Sequence, residues 1–454
     1  MLIQIILMIN RFVFYLLNHL LAGVRTLIQT ITLLLFGLIV FLGINLSNPG
    51  LVTAQTSITL KNCYDSLEAN FPLVKQKEKL MEITELKIKN LQTNYLPDIY
   101  LKGKVSYQSE VTAISIPLPG FTAPEVPKDQ YSASIDVTQV IYDGGNTQAA
   151  KKVTQQNLKV EIQKVAVDIY KLKEQINQLY FTCLMIQEND QVLQLTHQTS
   201  TEQRKVVSAA VEQGMINSSE LDYLDAERLK LEQQMIELET GKSQALMALS
   251  ELTGFNIPQN ALIEIPVFEH SLPSEVFRPE HQLFDDQVAL LDATVEVTSK
   301  KRMPTLGAFV TAGYGRPGYD MFSDNFHGYY MAGAQLQWNI WDWKQTQREK
   351  NQIHLQKQLI TDNREAFNKN LNIAKSQDLL QIEKLNKLMA KDAEIVELQN
   401  RITERSASQL ANGIITSAEY LRQLNADKQA RVNKKVHEIQ KTQMQADYLF
   451  NIGK

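Results

Sequence analysis

With 454 residues, of which 44% are hydrophobic and 21% charged, the chain has material for two or three ordinary domains and a large buried core. A net charge of −4 and the lack of any basic run argue against nucleic acid as a partner. Two cysteines, Cys63 and Cys183, form no metal-ligand or disulfide spacing, and each is expected as a small buried hydrophobe.

The first 54 residues contain no Asp, Glu or Lys and two arginines, Arg11 and Arg25. Apolar stretches around 2–21 and 27–46 lead to "NPGLVTAQ", where Val52 and Ala54 satisfy the small-residue rule for cleavage before Gln55. Residues 1–54 are therefore expected to be an export signal, with an inner-membrane anchor as the alternative and Met8 as an alternative start. "LKNC" at 60–63 is a poor lipoprotein signal, because Lys61 and Asn62 stand where small residues are needed. No later stretch approaches the ~20 apolar residues of a membrane helix. If the mature chain crosses a membrane, it does so with strands.

Past Pro97 the apolar period becomes two. Ile99, Leu101, Gly103, Val105 and Tyr107 alternate with Tyr100, Lys102, Lys104, Ser106 and Gln108. Beyond the loop "IPLPGFTAPEVPK" (116–128), Tyr131, Ala133, Ile135 and Val137 alternate with Gln130, Ser132, Ser134 and Asp136. Two strands are expected within 97–142. "YDGGNTQ" (142–148) then reads as a turn into a helix, with Asp143, Gly144 and Gly145 at its bend. From there Leu158, Val165, Leu172, Leu179, Ile186 and Leu193 recur every seven residues, and Ile162, Ile169, Ile176 and Cys183 form a second row. Together they make a seam of the coiled-coil type. No proline interrupts the 71 residues from Asp143 to Gly214, a length of roughly 105 Å if helical. Gly214, in "EQGMINSSEL" (212–221), permits the left-handed backbone of a helix end. A Ser or Thr follows within a few residues as a cap, and the chain returns through Glu220–Leu252.

After a linker over 254–276, containing Pro258, Pro266 and Pro273, the chain is written a second time. "WDWKQTQ" (341–347) repeats "YDGGNTQ", placing Asp342 199 residues after Asp143. "ANGIITSAEY" (411–420) repeats the helix end at the same offset of 199, pairing Gly413 with Gly214, Ser417 with Ser218 and Glu419 with Glu220. Pro72 and Pro97 are 25 apart, as are Pro279 and Pro304, at an offset of 207. Only the piece between the second proline and the Asp differs, being eight residues longer in the first copy. Equal spacings of this kind mark an internal duplication. Strands recur over Leu306–Tyr314 and Tyr330–Ile340, with Phe309 and Met331 as large residues on the otherwise small or polar side. The second seam runs Ile353, Ile360, Phe367, Ala374, Leu388, Ile395, Ile402, with Gln381 as its one interruption.

The organisation expected is a first repeat over 55–253 (strands 97–142, hairpin 146–253) and a second over 277–454 (strands 304–341, hairpin 344–451). Each is a helix-strand-strand-helix-helix unit, giving a mainly α chain with a β portion. Strands of about ten residues suit a tilted bilayer crossing, and the small or polar side suits a wet lumen. A soluble sandwich is the competing reading. Four strands cannot close a barrel, and lipid does not tolerate open edges, so several copies must each donate four strands.

At this point the chain resembles the TolC-type outer membrane efflux family. The likeness extends from "SLEANFPLVKQKEK" (66–79) to the C-terminus. It is most specific at the doubled turn and at the doubled tip "QGMINSSELDYLDAE"/"NGIITSAEYLRQLNA". It implies a homotrimer with a twelve-stranded barrel in the outer membrane and a helical tunnel across the periplasm. It also implies docking on a periplasmic adaptor coupled to an inner-membrane pump whose class the sequence does not give. By the same resemblance Gly214, Met215, Ile216 and Ser218, with Gly413, Ile414, Ile415 and Ser417, form the docking tips, the apolar pair after each glycine lying exposed. Glu220 and Glu419 fall at the periplasmic entrance, where the family often carries an acidic ring. Arg422 stands where a second acid is expected. That departure leaves cation selectivity open, and Arg422 pairing with Glu419 to hold the entrance closed is the alternative.

Seven scattered histidines, with no HExxH, nucleophile elbow or phosphate loop, give no enzyme and no cofactor. The expected function is a passive exit duct. An adaptor or coiled-coil scaffold anchored in the inner membrane is the alternative; it explains the hairpins but not the four strands.

Overall fold

The computed structural model describes residues 57–112, 126–268 and 273–454, so the expected export signal lies outside the described residues. Of two compact units, Met1–Ser57 with Asn260–Leu262 falls almost wholly outside them. The other, Ile58–Gln259 with Ile263–Lys454, holds both repeats. The first repeat consists of α1 (Leu60–Asn70), α2 (Gln76–Gln92), β1 (Asp98–Tyr107), β2 (Asp129–Tyr142), α3 (Asn146–Glu212) and α4 (Ser219–Thr253). The second consists of α5 (Pro279–Lys300), β3 (Thr305–Arg316), β4 (His327–Gln337), α6 (Gln345–Ala411) and α7 (Ser417–Ile452). The two long helices α3 and α6 have 67 residues each, about 100 Å at the standard rise. Among the described residues no helix is long and apolar enough to cross a membrane.

The four strands form one antiparallel sheet in chain order, β1-β2-β3-β4. Its register lines up the alternating rows. Ile99 faces Val137, which faces Val310, which faces Ala332; Leu101, Ile135, Ala312 and Tyr330 form the next row. One face is thus apolar across all four strands, because directly opposed residues share a side of the pleat. That face is open: Leu101 is 82% and Tyr330 81% exposed. On the other side Ser132, Ser134, Asp136, Thr311 and Gly313 are half-buried, and Lys102 pairs with Asp136 at 2.7 Å. Burial is inverted relative to a soluble sheet. Two large residues on the polar side are accommodated by glycines, Phe309 over Gly333 and Tyr329 over Gly313, whereas Met331 is exposed opposite Thr311. β4 stops at Gln337, short of the expected alternation to Ile340, where the Trp338 indole N–H donates to the Arg302 carbonyl at 3.1 Å.

Helix α3 lies at the centre of the helical part, touching α2, α4, α5 and α7, while α6 packs chiefly on α5 and α7. This difference shows in the seams. Every expected seam residue of α3 is buried or half-buried. In α6, Ile353 is buried and Ile360, Phe367, Ala374 and Leu388 are half-buried, but Gln381, Ile395 and Ile402 are exposed. Leu385, Asp392, Thr403, Ser406 and Leu410 take the buried face instead. A straight helix drifts about 20° per heptad against a strict seven-residue repeat, which carries the apolar row off the α7 contact. Both cysteines are fully buried and free, and burial raises the Cys63 thiol to about 12.

The duplication is also visible where each hairpin ends. Gly254 and Gly453, again 199 apart, both take the left-handed backbone (φ 71° and 92°) at the ends of α4 and α7. A Cβ on Gly254 would meet Asn70 at 2.8 Å, and one on Gly453 the Phe277 carbonyl carbon at 2.4 Å. The second junction is locked by Arg278, buried in bidentate contact with Glu280 and donating to the Phe450 carbonyl at 3.1 Å. Its guanidinium also lies over the Tyr170 and Phe450 rings.

Candidate functional site

Each repeat leaves the sheet through the same bend. The Asp143 carboxylate accepts from the Gly145 N–H at 2.9 Å, the Thr147 N–H at 2.6 Å and the Tyr95 hydroxyl at 2.8 Å. Asp342 accepts from the Lys344 N–H at 3.1 Å and the Thr346 N–H at 3.0 Å. Both carboxylates satisfy amides that α3 and α6 leave free at their first turns. Gly144 and Gly145 hold left-handed backbone at φ 69° and 81°; Trp343 and Lys344 hold it in the second copy at 50° and 63°. Gly144 is needed for space as well, because a Cβ there would lie 2.4 Å from Met303 Cβ. Partial burial alone would raise the Asp143 carboxyl, but the bonds from Thr147, Tyr95 and Gly145 outweigh it and hold its pKa at about 2. Asp342 is lowered too, chiefly by the Thr346 side chain.

At the far ends of α3 and α6 the two tips match bond for bond. Gly214 N–H donates to the Val211 carbonyl and Met215 N–H to Ala210, both at 2.9 Å. Gly413 and Ile414 donate to Leu410 and Gln409 at the same 2.9 Å. This is the paired hydrogen bonding of a Schellman helix end, with φ of 75° at Gly214 and 69° at Gly413. The apolar pairs after the glycines are split. Met215 and Ile414 are 64% and 70% exposed. Ile216 and Ile415 instead turn inward on a cluster built from Val207, Leu224, Leu410, Tyr420, Leu421 and Leu424. Only the first residue of each pair is exposed, because the second closes the core between the hairpins.

The caps diverge. Thr416 and Glu419 form a reciprocal capping box at the start of α7, each side chain bonding the other's backbone N–H at 3.2 Å. Ser218 makes no such bond; the Asn217 side chain accepts from Ser219 N–H at 3.2 Å in its place. Ser417 is fully buried, and its N–H donates across the tips to Glu220 at 2.6 Å. Glu419 and Arg422 are both exposed. No ion pair joins them among the described residues, since the Glu419 carboxylate is folded back on Thr416. Sequence reasoning missed the Gly254/Gly453 pair, which the 199 offset would have found, and the Glu220–Ser417 bond, for which no sequence signal exists.

Similarity to known proteins extends over both sequence and fold. The family model for outer membrane efflux protein matches residues 63–255. No curated protein matches the chain by sequence. Among solved structures, CusC shares the fold over 87% of this chain and 92% of its own, with a TM-score of 0.64 at 14% identity. The outer-membrane channel OprN covers 87% and 89%, with a TM-score of 0.65 at 11% identity. The Campylobacter jejuni CmeC outer membrane channel covers 87% and 85%, with a TM-score of 0.60 at 16% identity. By sequence over residues 63–255 this chain is similar to the outer membrane efflux proteins, and by fold over 87% of its length it is similar to the solved structures of CusC, OprN and CmeC.

Proposed function

We propose that three copies of this chain form the outer-membrane exit duct of a tripartite efflux or secretion assembly. The observation that carries the reading is the inverted sheet. Its apolar face is exposed, its polar face is half-covered, and β1 and β4 leave both edges unpaired among the described residues. A sheet of this kind is stable in lipid only when sister strands complete a barrel around a wet lumen. The exposed Ile395 and Ile402 on α6 would then meet a sister subunit's helices in the periplasm.

In this reading residues 1–54 direct export, and 55–253 and 277–454 are the two repeats joined by the linker 254–276. The tips at Gly214–Ser218 and Gly413–Ser417 dock a periplasmic adaptor, with Met215 and Ile414 as the apolar contacts. Glu220, Glu419 and Arg422 line the periplasmic entrance. Asp143, Gly144, Gly145 and Asp342 fix the angle at which helices leave the barrel. Transport is passive, driven by an inner-membrane pump. Purified outer membranes should contain the protein as a trimer that dissociates only on heating, and cryo-electron microscopy should show twelve strands. Recovery of a stable, water-soluble monomer would overturn the reading.

A further inference from the structure

A groove of about 500 Å³ opens between α3 and α6, with α7 as its floor. The floor carries two polar groups with no partner among the described residues: the Tyr420 hydroxyl and Asp427 Oδ1. Tyr420 is 0% and Asp427 7% exposed. Native structures rarely leave a buried phenol and a buried carboxylate oxygen without donors.

The first hairpin is built differently at this level. In the first hairpin Arg204 grips Asp225 through two bonds at 2.6 and 2.9 Å, filling the gap between its helices with a guanidinium. The equivalent positions 199 residues on are Thr403 and Leu424. Thr403 is too short to cross the gap and donates to the Gln423 carbonyl at 3.2 Å. The one cation on the floor, Arg431, is already spent on Asp427 Oδ2 at 2.7 Å and Asn400 at 2.6 Å. Glu202 and Glu404 stand on the walls, so acids outnumber bases, while Leu195, Val206 and Leu424 supply apolar surface. Burial first, and then the Asp427 charge, push the Tyr420 phenol to about 12, so it stays a neutral donor and acceptor.

We propose that this groove is a binding subsite for a free organic cation: an amidinium, guanidinium or ammonium head carrying a small apolar body. The head donates to Asp427 Oδ1 and the Tyr420 hydroxyl, the two groups that lack a partner. The body lies between Leu195, Val206 and Leu424. The proposal does not depend on the docking role of the tips.

The test is calorimetric titration and saturation-transfer NMR on the purified full-length protein in detergent, using benzamidine and its neutral analogue benzamide. Benzamidine is expected to bind at least about tenfold tighter, because the charged head makes the stronger bonds. Asp427→Asn and Tyr420→Phe should each weaken it. Thr403→Arg, which restores the guanidinium of the first repeat, should abolish binding while raising the thermal midpoint. If Asp427→Asn does not fold, the other two variants decide. Equal binding of the two probes overturns the proposal, as does no binding by the unmodified protein or unchanged binding by Thr403→Arg; the groove would then hold water only.

Discussion

The Glu220 carboxylate accepts the Ser417 backbone N–H at 2.6 Å, joining the first tip to the start of α7 in the second. Its duplicate, Glu419, spends its carboxylate on its own cap instead. Two residues that the duplication made equivalent have thus come to do different work, one closing a helix and the other tying two hairpins together. A charge-assisted bond to a helix N-terminus contributes about 1.5–3 kcal/mol. Glu220→Ala should therefore speed hydrogen exchange at the Ser417 amide about tenfold or more. Glu419→Ala should fray only the first turn of α7, at a cost of about 1 kcal/mol. Unchanged protection at Ser417 in the first variant would show that the tie carries no energy.

Asp143 sets an acid limit on the strand-to-helix bend. Its folded pKa of about 2 lies below the ordinary 3.8. A depressed carboxylate contributes stability that is fully present above its unfolded pKa and is lost as pH falls through the folded one. The loss should therefore fall between about pH 4 and pH 2. Asp143→Asn should lower the thermal midpoint at pH 7 and flatten the pH dependence in that window. Asp342→Asn should shift the same way but less, because Asp342 lacks the Tyr95 bond. Thermal scans from pH 5 to pH 2 on the two variants check both the sign and the order.

The left-handed glycines separate strain from crowding. A Cβ on Gly214 would have nothing within 4 Å, whereas one on Gly453 would press against the Phe277 carbonyl carbon at 2.4 Å. Gly214→Ala should cost only the backbone term, about 1–2 kcal/mol. Gly453→Ala adds a backbone clash that no rotamer relieves, so its loss should exceed that of Gly214→Ala by about 1–3 kcal/mol. Chemical denaturation of the two variants measures the difference. Equal losses would mean that the C-terminal junction yields at little cost.

Much of this fold was legible because it is regular. Period two gave the strands and their apolar face, period seven gave α3, and the 199 offset gave both bends and both tips. What escaped has a common cause. Ile395 and Ile402 kept the heptad but left the seam, because only the packing of α7 decides which face of a 67-residue helix is covered. Ile216 and Ile415 were indistinguishable by sequence from Met215 and Ile414, since direction after a left-handed glycine is set by the turn. The capping box at Thr416–Glu419 could have been read from its spacing, whereas the bond from Ser417 to Glu220 links residues 197 apart and has no local signature.

Neighbouring residues on β1 offer the sharpest test of which face meets lipid. Lys102 already places a cation on the polar side, 2.7 Å from Asp136 across to β2. Leu101, one residue earlier, points to the apolar side with 82% of its surface open. Leu101→Lys moves a cation onto the face proposed to meet acyl chains, at a cost of about 2–4 kcal/mol near the bilayer centre. Lys102→Leu removes one ion pair whose lysine lies open to water, a far smaller loss. Urea unfolding from lipid vesicles should therefore show a large loss for the first and little for the second. Comparable losses would mean that both faces meet water, and three chains would then have no reason to close a barrel around the polar one.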